Sequence, residues 1–159
     1  MNRREFIFNG SCSMAALLAG GCSTFAGPGA KFHLAMAGYT LNKFKTDEAL
    51  AFCEKHGFHY LCVKNFHLPF ESTAAQIAEF RVKCADHGVI PYGVGPIEFQ
   101  PKTDCRKYFD YAAALGVKLI VGVPGVKTGP KWTDCHSDRK MCEVCSALAD
   151  EYKLKFAIH

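Results

Sequence analysis

No cluster of lysine and arginine stands out in this 159-residue chain, whose net charge is a mild +4. It offers no basic stripe to follow a phosphate backbone, so nucleic acid is not an expected partner. No Gly-x-Gly-x-x-Gly follows the first predicted strand, where Gly38-Tyr39-Thr40-Leu41-Asn42 stands instead. A doubly wound dinucleotide-binding sheet therefore lacks its usual evidence. The apolar stretch near the N-terminus is too short and too rich in glycine for a membrane span. The cysteines number nine but lack zinc-ribbon spacing. Cys142-x-x-Cys145 falls inside a predicted helix, and no second pair joins it, Cys135 and His136. A redox role has no better support, because no strand leads directly into that pair.

What is there is a repeat. Three times a helix-like segment ends in glycine and runs into an apolar strand: at His56-Gly57, at His87-Gly88 and at Leu115-Gly116. A fourth passage, through Tyr152-Lys153, does so without glycine. The predicted strands are 32–37, 60–64, 90–94, 119–123 and 155–159, the last of them at the chain's end. Helices are opened by Thr46, by Ser72 or Thr73, by Thr103-Asp104 and by Ser137-Asp138, with a long irregular stretch from Lys127 to Cys135. Ile77, Phe80 and Cys84 lie at helical spacing in the second helix; Met141, Cys145, Leu148 and Tyr152 do so in the fourth. Strands alternating with helices make βα units around a parallel sheet, and near-continuous apolar strands fit a sheet covered by helices. The four units between residues 32 and 153 take about half of the ~250 residues of an eight-stranded barrel. The pattern predicts the N-terminal part of such a barrel, with a five-stranded open sheet as the rival.

The N-terminus is a separate object. Met1-Asn2-Arg3-Arg4-Glu5-Phe6-Ile7 and the apolar, Gly/Ser-rich stretch after it resemble a twin-arginine export signal over residues 1–26. Residues 27–31 read as a linker. Two processing sites compete: cleavage after Ala26, or acylation of Cys22 behind an imperfect lipoprotein box. The expected location is periplasmic, either free or anchored by lipid at Cys22. Seven cysteines follow the leader, an odd number, mostly at apolar positions of predicted elements. They read as small buried hydrophobes rather than a disulfide framework, in keeping with export after folding.

Chemistry in a βα barrel sits at the carboxyl ends of the strands. The polar residues there are Tyr39 after the first strand, Lys64 and His67 after the second, Glu98 after the third and His159 at the end of the last. A histidine there suits a divalent metal or a proton shuttle. Lys64 suits a substrate hydroxyl, a carboxylate or an oxyanion. His67 suits acid/base work, and Glu98 a ligand or base. The bland alternatives are a packed histidine, a lysine snorkelling to water and a solvated loop carboxylate.

Four segments carry a resemblance to the sugar phosphate isomerase/epimerase family, the xylose-isomerase-like TIM barrels. They are Leu34-Ala35-Met36-Ala37-Gly38-Tyr39-Thr40, Leu61-Cys62-Val63-Lys64-Asn65-Phe66-His67-Leu68-Pro69, Tyr92-Gly93-Val94-Gly95-Pro96-Ile97 and Leu154-Lys155-Phe156-Ala157-Ile158-His159. The resemblance covers nearly all of residues 32–159. It implies a (β/α)8 barrel, here cut to about five strands and four helices, and an enzyme moving a proton next to the carbonyl of a sugar or polyol. It also implies a divalent metal (manganese, magnesium, cobalt or zinc), with His159 as the strand-end ligand and the other ligands beyond residue 159. Lys64 and His67 match the strand-two end where the resemblance implies substrate contact and are the expected catalytic residues; Tyr39 and Glu98, by their strand-end positions, are the expected substrate-binding residues. As an N-terminal fragment, the chain alone is expected to be inactive. Two further readings stay open: a keto-sugar or inositol-type lyase or dehydratase on the same fold, and an exported carbohydrate-binding protein without chemistry.

Overall fold

The first turn of a helix leaves backbone N–H groups without partners, and acceptor side chains mark where it starts. The computed structural model describes residues 33–127, 129 and 135–159. It places α1 at Thr46–Lys55, α2 at Ala74–Asp86, α3 at Cys105–Leu115 and α4 at Arg139–Tyr152. Thr73 caps α2 reciprocally: its hydroxyl accepts from the Gln76 amide at 3.3 Å, and its own N–H donates to the Gln76 side chain at 2.8 Å. The Asp138 carboxylate accepts from the Lys140 amide at the start of α4. At α1 the expected cap is displaced by one residue. Lys45 is the capping position, its N–H donating to the Glu48 carboxylate at 2.9 Å. The Thr46 hydroxyl is engaged elsewhere, on the carbonyl of His67.

The strands are β1 at Met36–Ala37, β2 at Tyr60–Val63, β3 at Ile90–Phe99, β4 at Leu119–Lys127, β5 at Cys135–Ser137 and β6 at Lys155–Ile158. Five of them form a parallel sheet in the order β1-β2-β3-β4-β6. Because this order follows the chain, right-handed crossovers place successive helices on one face. There Leu50, Cys53, Phe80, Cys84, Phe109, Ala112 and Cys145 pack on Leu61, Val63, Val94, Phe99 and Ile120. Among the described residues no helix is long and apolar enough to cross a membrane. The expected leader (1–26), the linker (27–31) and Cys22 lie outside the described residues.

The first strand, expected over 32–37, is confined to Met36–Ala37, and further expectations change. Gly95-Pro96 does not end the third strand: the register shifts between Val94 and Ile97, and β3 resumes to Phe99. A bulge tolerates the missing proline donor, which a regular ladder position would not. Pro124-Gly125 likewise lies inside β4. The irregular stretch from Lys127 to Cys135 is bounded by a hairpin, with β5 antiparallel to β4 and Val126 opposite His136. Among the described residues the sheet assembly thus has six strands, one of them short and antiparallel. The six described cysteines after the leader are all free thiols, and five are buried.

Candidate functional site

Strand alternation decides which side chains face away from the helices. On β2, Leu61 and Val63 enter the helix-side core, so Cys62 and then Lys64 project from the other face. On β3, Ile97 and Phe99 enter the core, which sets Glu98 opposite. On β6, Phe156 packs against the core, so Ala157 and then His159 share the face of Lys64 and Glu98. Glu98 pairs with Val123 across the sheet. The His159 N–H donates to the Gly122 carbonyl at 2.9 Å, one residue past the Gly122–Ile158 pair. Glu98 and His159 therefore flank Val123 in one row, roughly 10 Å apart along the sheet. Glu98 is a half-buried strand residue, not a loop carboxylate, and accepts from the Gln100 side-chain amide at 3.3 Å.

The Lys64 side chain is tied to β3. Its ammonium donates to the Gly95 carbonyl at the β3 bulge, and the same oxygen takes the Cys62 thiol at 3.8 Å. Burial pushes the Cys62 thiol above its ordinary value, partly offset by the Lys64 charge and a hydrogen bond to Tyr92. Burial likewise raises the Tyr92 phenol, with Cys62 adding to it. Cys62 is thus a neutral thiol and not an activated nucleophile.

The β2–α2 loop is held by one bond of its own and by three ties from outside it. The Asn65 side chain accepts from the Phe70 amide at 2.9 Å, and the Tyr111 hydroxyl donates to the Leu68 carbonyl at 2.8 Å. The Thr46 hydroxyl donates to the His67 carbonyl at 2.9 Å. The His67 ring is 5% exposed, with Nε2 3.4 Å from the Leu41 carbonyl. Burial, seconded by Lys64, pushes the imidazole below its ordinary value despite the Leu41 carbonyl. Tyr39 sits in the 3-10 turn Gly38–Leu41 and is 68% exposed. Its ring meets Phe66 edge-on, with centroids 6.5 Å apart, and Phe66 meets His67 at 4.5 Å.

The structure thus gathers Lys64, Glu98 and His159 on one sheet face, sets Tyr39 at the rim and encloses His67 behind Phe66. Among the described residues no three His, Cys, Asp or Glu side chains are placed to hold one metal ion together. They do not by themselves fit a divalent metal; His159 is one candidate ligand. Cys142 and Cys145 lie on α4 as expected, half-buried and buried, and the side chains of Cys135 and His136 lie outside the described residues. Sequence reasoning missed Phe66, Tyr92 and the Gly95 carbonyl. Alternation along β2 identifies Cys62 and Lys64 as face-mates, but nothing local reveals that a carbonyl from β3 meets both.

No protein-family model matches the chain, and no curated protein matches its sequence. Solved structures do match it. A protein from Parabacteroides distasonis ATCC 8503 superposes with a TM-score of 0.67 at 16% identity, over 82% of this chain and 53% of that one. A xylose isomerase-like TIM barrel protein from Mycobacterium smegmatis, in complex with magnesium, gives 0.53 at 12% identity, over 80% and 55%. A D-psicose 3-epimerase in the presence of D-fructose gives 0.51 at 17% identity, over 74% and 47%. The chain spans about half the length of these structures. At such identities the likeness establishes the fold alone: parallel βα units of the xylose isomerase-like TIM barrel kind.

Proposed function

We propose that this chain supplies one part of the active-site mouth of a sugar isomerase or epimerase, which moves a proton next to the carbonyl of a sugar or polyol. The observation that carries the reading is the placement of Lys64, Glu98 and His159 beside the carboxyl ends of parallel strands on the helix-free face, where such folds do their chemistry. The epimerase solved with D-fructose and the barrel solved with magnesium support the substrate class and a divalent metal.

In this reading the Lys64 ammonium, with one of its three N–H donors on the Gly95 carbonyl, stabilises negative charge on a substrate oxygen. Glu98 and Tyr39 bind hydroxyls. His159 is the candidate metal ligand, with further donors supplied from outside the described residues. The leader reading extends the proposal to an exported enzyme.

Saturation-transfer NMR with a panel of ketohexoses and their phosphates tests the site. At least one sugar is expected to give a signal that weakens about tenfold or more in Lys64→Met, as loss of a charged hydrogen bond predicts. Absence of signal from every sugar sinks the reading. The exposed aromatic pair Tyr39 and Phe66 favours a second reading, a carbohydrate-binding protein without chemistry. With the remaining strands of the barrel supplied, solvent deuterium entering the carbon next to the carbonyl in D2O decides for the enzyme; binding without exchange in that completed barrel decides for the binder.

A further inference from the structure

His67 is the one buried side chain among the described residues whose polar group is left partly unsatisfied. Nε2 lies 3.4 Å from the Leu41 carbonyl, while Nδ1 is enclosed and meets no protein donor. A carbonyl only accepts, so Nε2 carries the proton and Nδ1 keeps the lone pair. The other tautomer is disfavoured twice. It would set the Nε2 lone pair against the Leu41 oxygen and leave a buried Nδ1–H without an acceptor.

The residue also joins three segments. Its ring holds the Gly38–Leu41 turn through Leu41, its carbonyl accepts from Thr46 at the start of α1, and its N–H donates to the Lys64 carbonyl at 2.9 Å. Phe66 covers one side of the ring. A proton shuttle needs a nitrogen that substrate reaches. Here one nitrogen is committed to backbone and the other is enclosed.

We propose that His67 is a positioning residue: a neutral imidazole, protonated on Nε2, that fixes the turn bearing Tyr39 against the loop bearing Lys64 and takes no proton from substrate. Only the purpose of this latch rests on the sugar-site reading; the latch itself does not.

Two measurements on the whole chain test it. Long-range 1H–15N NMR of the imidazole at neutral pH is expected to show the neutral Nε2–H form. Amide hydrogen exchange then reads the turn through Asn42 and Phe44, whose N–H groups bond to Tyr39 and Leu41. His67→Ala is expected to speed their exchange about tenfold, the scale of one lost buried hydrogen bond. His67→Gln retains a donor for the Leu41 carbonyl without an acid/base group, and is expected to keep parental exchange and parental sugar binding. An imidazolium or an Nδ1–H tautomer overturns the proposal. So does a glutamine variant as open as the alanine one, or an alanine variant with unchanged exchange. Should His67→Ala fail to fold, the tautomer and the glutamine variant still decide. Failure of every sugar to bind sinks the proposed function and leaves the tautomer and exchange results standing.

Discussion

Lys64 fits where it does because Gly38 beside it carries no side chain. A Cβ on Gly38 would lie 2.2 Å from the Cys62 carbonyl oxygen and 3.0 Å from Cγ of Lys64. One on Gly95 would lie 2.1 Å from the Val121 carbonyl oxygen, at a φ of +119° that side chains rarely adopt. Gly38→Ala is expected to cost about 2 kcal/mol, as overpacking does, and to displace Lys64; denaturant titration and Lys64-dependent sugar binding read the two effects. The thiols are quieter still. Burial pushes Cys84 and Cys145 up to about 12, so a thiol reagent at pH 8 is expected to modify half-buried Cys142 before either of them, with mass spectrometry reading the order. His67 adds a pH dependence. Its folded-state pKa is held below the ordinary 6.5, chiefly by burial, so the unfolded chain takes up the proton first as pH falls. The stability due to the neutral ring is full above about 6.5 and is lost as pH drops from there to the folded value. Urea midpoints at pH 7.5 and 5.5 are expected to differ more in the parent than in His67→Gln.

The elements show which local signals suffice. Thr73 and Gln76 cap α2 as a three-residue spacing predicts, and Thr73→Ala is expected to cost about 1 kcal/mol in a urea titration. The passage without glycine is the instructive one. Gly116 ends α3 at φ +81°, while Lys153 ends α4 in the same left-handed region at φ +54°. A side chain there costs on the order of 1 kcal/mol, so Lys153→Gly is expected to raise the thermal midpoint. β3 is where local reading failed, because Gly95-Pro96 reads as a strand terminator. The bulge depends on pairing with β4, and that pairing lies outside any local window.

For the molecule as a whole, sheet order governs exposure. Helices cover one face, while β1 and β6 are each paired on one side only among the described residues. Ile158 on β6 is 61% exposed. Strand edges with exposed apolar side chains associate. Sedimentation velocity of the chain is therefore expected to show concentration-dependent association that Ile158→Lys reduces. A concentration-independent monomer would contradict this view of the edge.

The apolar periodicity of the sequence determined the βα alternation, the helix faces and the candidate strand-end residues, because burial on a helix or strand face is encoded at short range. The same segments brought the xylose-isomerase-like barrel into view, and the fold agrees. Only the tertiary structure decided that Glu98 and His159 share a row, that Lys64 meets a carbonyl of β3 and that His67 is enclosed. Those facts depend on strand register and a bulge, which arise from pairing between segments some thirty residues apart in the chain.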